Sequence, residues 1–236
     1  MHPIEKELRK YATLERAEMN AHYFKSGKGE YGEGNQFIGV TVPDARRVAH
    51  QFADTYFSQI EPLLESPVHE VRLAGLLILV EKFKSKNTLL PAKKSIVDFY
   101  LEHRNAVNNW DLVDLSADKI LGQYYIDTKT SPQKLYELAK SNQLWDRRIA
   151  MVATFAFIRN HEFSHTKKIA EMLLWDEHDL MHKAVGWMLR EMGKRNEKEL
   201  IDFLKMHYNK MPRTMLRYAI EKFSEEKRKE YLTGKI

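Results

Sequence analysis

The stretch Val107-Asn108-Asn109-Trp110-Asp111-Leu112-Val113-Asp114, continuing through Leu115-Ser116-Ala117-Asp118-Lys119-Ile120-Leu121, reads as a helix start. Asn108 or Asn109 stands at the cap, and Asp111 in the first turn meets the positive end of the helix dipole. At about 100° per residue, Val113, Ala117, Ile120 and Tyr124 share one apolar face. Trp110, Asp111, Asp114 and Asp118 fall together on another, which is expected to lie away from the core. Trp110 and Asp114 are one turn apart and therefore neighbours. An indole beside a carboxylate in water is an expensive arrangement unless something binds there.

Outward from this helix the chain repeats itself. Residues 4–25 read as helix, and from Pro43 onward helices alternate with short polar joints such as Lys84-Ser85-Lys86-Asn87, Arg195-Asn196 and Met211-Pro212. No alternating strand pattern occurs. Arg72, Trp110, Arg148, Lys183 and Arg217 each sit early in the second helix of an expected pair, at separations of 38, 38, 35 and 34 residues. Antiparallel helix-pair repeats of the HEAT type have about this period and stack into a curved solenoid whose inner helices line a concave groove. The expected fold is therefore all-α, a single domain over 1–236, with an N-terminal helix and glycine-rich loop (1–42) before the helix-pair repeats (43–236). In that register the repeated cations form a ladder facing inward beside helix N-termini, a geometry suited to phosphate.

Composition narrows the classes. The chain has 236 residues, a formal net charge of +5 and no cysteine, which removes disulfide frameworks and thiolate chemistry. Its pI of about 9.1 agrees with a polyanionic partner. The N-terminus carries no apolar leader core and no run approaches a membrane span, so a cytoplasmic protein with no membrane partner is expected.

Two motifs are set aside on context. Gly27, Gly29 and Gly32 spell G-x-G-x-x-G, but a helix precedes them and a non-helical stretch follows, the reverse of the dinucleotide fingerprint; a flexible connection is expected. His161-Glu162-Phe163-Ser164-His165 is a literal H-E-x-x-H at a helix end, followed by Lys167-Lys168 with Glu171 where a third histidine would stand. It reads as an inter-helix turn, and no metal or other cofactor is expected. His178 and His182 read as helix-start residues, Trp145 and Trp175 as packing between repeats. Trp187 stands one turn after Lys183, as Asp114 does after Trp110, and Gly186 beside it implies that something approaches the backbone there.

A cationic surface suits a DNA backbone, whereas a carboxylate aimed into it repels DNA and so argues for a chemical task. Indole faces and a carboxylate both stabilise positive charge, as on the oxocarbenium-like sugar formed when an N-glycosidic bond breaks. An alkylated, already cationic base leaves without a general acid, so one carboxylate suffices.

The segments Tyr23-Phe24-Lys25, Phe37-Ile38-Gly39-Val40, Asn109-Trp110-Asp111-Leu112-Val113-Asp114, Arg147-Arg148-Ile149-Ala150 and Lys183-Ala184-Val185-Gly186-Trp187-Met188-Leu189-Arg190-Glu191 resemble the AlkD-type DNA alkylation-repair glycosylases, a HEAT-like repeat family. The resemblance covers almost the whole chain. It implies excision of cationic lesions such as 3-methyladenine and 7-methylguanine from double-stranded DNA, without base flipping and without a metal. Asp114 looks like the catalytic carboxylate, with Trp110 and Trp187 as the indoles around the lesion's sugar and backbone. Arg148 looks like a phosphate contact, and Tyr23 resembles an aromatic at the DNA surface. From the ladder and its neighbours, Arg147, Lys183, Arg190, Arg72 and Arg217 are further expected DNA contacts, and a monomer is expected. Thr41 departs from the family pattern, which can carry Gln there. The alternative is a non-catalytic HEAT-repeat protein that binds branched or bulged duplex; a solenoid scaffold for protein partners is a third reading.

Overall fold

The structure is a computed structural model that describes residues 1–235. It is all-helical, with no strand among the described residues beyond an isolated bridge between Gln36 and Val68. The helices form two compact units, Met1–Ile120 and Leu121–Ile236.

Unit 1 holds α1 (Pro3–Leu8), α2 (Leu14–Tyr23), α3 (Val42–Gln51), α4 (Phe57–Leu64), α5 (His69–Lys84), α6 (Leu90–Glu102) and α7 (Trp110–Ala117). α5 is apolar on nearly every side, as a helix surrounded by others must be. Val71, Leu73, Ala74, Leu76, Leu77, Ile78, Leu79 and Val80 are all buried, and α1, α3, α4, α6 and α7 pack against it. Each such large aliphatic side chain contributes roughly 1.5–3 kcal/mol on burial. Its first turn also contains an acidic residue, Glu70, that is buried.

The N-terminal helix expected over 4–25 is broken. A 3-10 turn at Arg9–Tyr11 is followed by Ala12 and Thr13 in extended conformation, and α2 begins at Leu14. The physical reason is a close approach: a Cβ on Gly39 would stand 2.1 Å from the Thr13 carbonyl oxygen, so the 36–40 segment lies directly on the break. Gly39 also has φ of +78°, a region open to glycine. The glycine-rich loop is tied down by side chains: Gly27 N–H donates to Glu30 Oε2 (2.9 Å), Gly29 N–H to Glu33 Oε2 (2.8 Å), and Asn35 Nδ2 to the Gly32 carbonyl (2.8 Å). α3 opens on Thr41, whose Oγ1 accepts from Asp44 N–H at 3.2 Å.

Unit 2 holds α8 (Gln123–Thr128), α9 (Gln133–Ala139), α10 (Leu144–Ala153), α11 (Phe155–Arg159), α12 (Ser164–Met172), α13 (Asp179–Arg195), α14 (Glu197–His207), α15 (Arg213–Ala219) and α16 (Glu225–Thr233). Here α13 is central, packed by α10, α11, α12, α14 and α15. Gly186 explains how α15 comes so close: a Cβ there would stand 2.5 Å from the Met215 carbonyl oxygen and 2.5 Å from Tyr218 Cβ. What approaches this backbone is thus another helix of the same unit. Gly186→Ala, which in an open helix gains about 1 kcal/mol of propensity, is expected here to lose about 2 kcal/mol through overpacking. The denaturant midpoint measures it; an unchanged or raised midpoint would contradict this packing.

The H-E-x-x-H stretch does not lie on one helix. His161 has φ of +60° in the turn after α11, and His165 lies in α12 with Nδ1 2.6 Å from the Tyr136 hydroxyl. Burial lowers the His165 pKa and raises that of Tyr136, so a neutral imidazole and a protonated phenol share this hydrogen bond.

Candidate functional site

Three second helices begin with the same local device. Ser66 Oγ accepts from Val68 N–H (3.1 Å) while its carbonyl accepts from Arg72 Nη1 (2.7 Å). Ser141 Oγ accepts from Gln143 N–H (3.1 Å), and its carbonyl from Arg147 Nη1 (3.0 Å). Asp176 Oδ1 accepts from His178 N–H (3.0 Å), and its carbonyl from His182 Nε2. Each is a short cap two residues on and a side-chain tie six residues on, which satisfies loop groups before the helix ladder begins. The register of these helices therefore aligns Arg72 with Arg147 and His182. The expected ladder aligned Arg72 with Arg148 and Lys183, one residue later, which is about 100° around a helix.

That shift changes what the arginines do. Arg72 is only 4% exposed, and donates also to the Ala106 carbonyl (3.3 Å), to Asn108 Oδ1 (3.0 Å) and to Asn35 Oδ1. Burial brings its pKa down to about 10, with Asp111 and Glu70 opposing the shift. Arg148 is likewise 4% exposed, with Nη1 on the Leu180 carbonyl at 2.7 Å. Arg147 is held by Asp176 at 2.6 Å. Arg72, Arg147 and Arg148 thus tie helix starts to backbone carbonyls of Ser66, Ser141 and Leu180, where a ladder facing a concave groove was expected, because a withdrawn guanidinium satisfies carbonyl oxygens that would otherwise lack a donor. Lys183 is half-buried and paired with Asp179 (2.7 Å), whose carboxyl it holds below the usual range. Arg190 is half-buried against Glu221, and Arg217 is exposed.

In unit 1 the structure gathers Trp110, Tyr23 and Asp114 around the start of α7. Asn109 caps the helix, its Oδ1 accepting from Trp110 N–H at 2.8 Å. The Trp110 ring is stacked on Phe24 (centroids 5.2 Å apart) and met edge-on by Tyr23 (5.7 Å). Phe24 stacks in turn on Phe37 (5.4 Å) and on His69 (5.0 Å). Tyr23 is 63% exposed, Trp110 and Asp114 half-buried, and Phe24 and His69 buried. The result is a layered aromatic wall, dry on one side and open at Tyr23.

Two buried charges hold this wall. His69 Nε2 lies 2.8 Å from Asp111 Oδ2, and Asp111 Oδ1 accepts from Leu112 N–H (2.9 Å). His69 Nδ1 is buried with no hydrogen-bond partner among the described residues. Glu70 accepts from three consecutive backbone N–H groups, Ile38 (3.1 Å), Gly39 (2.9 Å) and Val40 (3.4 Å), and from Asn20 Nδ2 (3.3 Å). It thereby fixes the segment that carries Phe37. The acidic face expected on α7 is accordingly divided: Asp111 and Asp118 are buried, Asp118 with Lys119 at 2.7 Å, and only Trp110 and Asp114 reach the surface.

In unit 2, Trp187 is half-buried with its ring 6.0 Å from that of Phe155. Arg159 and Arg195 lie over Phe155 at 4.8 and 5.6 Å, a cation–aromatic group that the sequence reading did not find. The supporting rings Phe24 and Phe37 were part of the motifs singled out, but nothing in their spacing announced that His69 would join them. Trp175, expected to pack between repeats, is 73% exposed.

A family model for DNA alkylation repair enzymes matches residues 4–223. Among solved structures, one described as "Predicted DNA alkylation repair enzyme from Enterococcus faecalis" is similar, with a TM-score of 0.69 at 17% identity. The match covers 91% of this chain and 97% of that one, so the two share a fold. No curated protein matches the chain. No helix among the described residues is long and apolar enough to cross a membrane. The chain belongs to the DNA alkylation repair enzyme family.

Proposed function

We propose that this protein is a DNA glycosylase that hydrolyses the N-glycosidic bond of cationic alkylated purines, 3-methyladenine and 7-methylguanine among them, in double-stranded DNA. The observation that carries the reading is the pair Trp110 and Asp114, one turn apart on α7, with Trp110 braced from behind by Phe24 and His69. A braced indole presents its π face without having to be ordered at the moment of reaction.

Alkylation at N3 or N7 places a positive charge on the base, so the C1′–N bond breaks with its electron pair moving onto the base, which departs neutral. The sugar is left as an oxocarbenium-like cation. The Asp114 carboxylate stabilises that cation and orients a water, whose oxygen bonds to C1′ while its proton passes to the carboxylate or to solvent. Trp110 adds cation–π attraction to the same charge. Tyr23 lies against the DNA surface, and in unit 2 Trp187, Lys183, Arg190 and Arg217 meet the backbone. Arg147, Arg148 and Arg72 act by holding the helix starts in place.

The test is release of free methylated base from methylated duplex DNA in the presence of EDTA, wild type against Asp114→Asn. Release of 7-methylguanine or 3-methyladenine by the wild type, and its loss in the variant, is the expected result. Salt-sensitive duplex binding with no release would make the chain a DNA-binding member of the family without this chemistry.

A further inference from the structure

We propose that the cleft beside Trp175 is a second nucleic-acid subsite, one that takes a single unpaired purine base stacked on the indole. It rests on DNA as the ligand and not on the chemistry assigned to Asp114.

The cleft lies wholly in unit 2, between the turn after α9 and the turn between α12 and α13, and measures about 540 Å³. That is within the range of small-molecule sites, roughly 300–1,000 Å³. Trp175 forms one wall and is 73% exposed. No aromatic ring stacks on it among the described residues, whereas Trp110 and Trp187 both have ring neighbours. An indole left in water forgoes a burial worth more than that of most side chains.

The charges around it choose the ligand. Arg147 and Asp176 also line the cleft but neutralise each other at 2.6 Å, with the Asp176 side chain 3% exposed. His178 is spent as well: its Nδ1 accepts from Leu180 N–H at 3.1 Å, and burial lowers its pKa, keeping it neutral. What remains at the rim is one exposed cation, Lys140, and one exposed anion, Glu177. A site for phosphate would carry an excess of cations, and a site for a cation an excess of carboxylates. A flat indole with one donor and one acceptor at net charge zero fits a neutral planar ring whose edge bears both acceptors and N–H donors. In DNA that is a nucleobase, and its faces are free only when it is unpaired and out of the stack.

The probe is 2-aminopurine placed as a single-nucleotide bulge in a duplex, whose fluorescence falls when the base stacks on an indole. Wild type is expected to quench it. Trp175→Ala should lose the quenching and bind the bulged duplex about tenfold more weakly, the usual order for one base–aromatic stack. Trp175→Phe should keep most of the affinity, and Glu177→Gln should weaken the bulged complex alone. On fully paired duplex, wild type and Trp175→Ala should bind equally. Undiminished quenching in Trp175→Ala would overturn the proposal. So would an equal loss on paired and bulged duplex, since Trp175 would then be a backbone contact. A sedimentation dimer abolished by Trp175→Ala, with no quenching by wild type, would also overturn it in favour of a second copy of the chain. Base release assayed on the same variants separates the two readings. Quenching without any release removes the glycosylase reading and leaves this one, and release without quenching does the reverse.

Discussion

Asp114→Asn is expected to lower the rate of base release by about a thousandfold while leaving DNA affinity equal or slightly higher. The size follows from the charge it removes. A carboxylate about 4 Å from a developing unit positive charge, at an effective dielectric near 20, is worth about 4 kcal/mol, and that corresponds to roughly three powers of ten in rate. Asparagine keeps the shape of the side chain and can still hold a water by its amide, so the loss reports charge in place of geometry. Affinity should not fall, because a carboxylate repels DNA phosphates and its loss removes that repulsion. Single-turnover release measured beside a binding isotherm on the same methylated duplex checks both halves. A rate within threefold of wild type would remove Asp114 from the chemistry, and a large loss of binding would make it structural.

The second large effect is on stability. Glu70→Ala is expected to destabilise unit 1 by about 3–5 kcal/mol, the usual cost when one partner of a buried charged network is removed. The carboxylate is 2% exposed and is the acceptor for the N–H groups of Ile38, Gly39 and Val40. Gly39 and Val40 are themselves buried, so water does not readily replace the lost acceptor. Glu70→Gln should recover only part of the loss, since its amide NH2 faces the N–H donors with a donor of its own. Denaturant unfolding measures the size. Tryptophan fluorescence should report a loosened Trp110, because releasing the 38–40 segment frees Phe37, and Phe37 backs Phe24. A midpoint within the error of wild type would show that the segment is held by something else.

These two predictions differ in how far the sequence alone reached them. Trp110 and Asp114 were legible because a helix repeats every 3.6 residues, so local spacing tells which side chains stand together. The helical class, the cap at Asn109 and the turn at His161 were legible for the same reason: each depends on a few adjacent residues; Gly186 announced a close approach, but not that α15 makes it. The N-terminal break at Ala12 and Thr13 was not, since the cause is Gly39, far along the chain.

The cationic ladder marks the boundary most clearly. A loose period of 34 to 38 residues is visible in the sequence, but a repeat whose length varies leaves the register open by a residue or more. One residue turns a side chain through about 100°. Only tertiary contacts could decide that Arg72 also reaches Ala106 and Asn108, that Arg147 pairs with Asp176, and that Arg148 is buried with Nη1 on the Leu180 carbonyl. The same holds for the aromatic wall: Phe24, Phe37, His69 and Trp110 come from four separate segments, and no periodicity links them. The sequence by itself determined the helical class and which side chains share a helix turn. The tertiary structure decided which charges are spent on buried backbone groups, because an unpaired carbonyl or N–H in the interior costs more than a cation withdrawn from the surface.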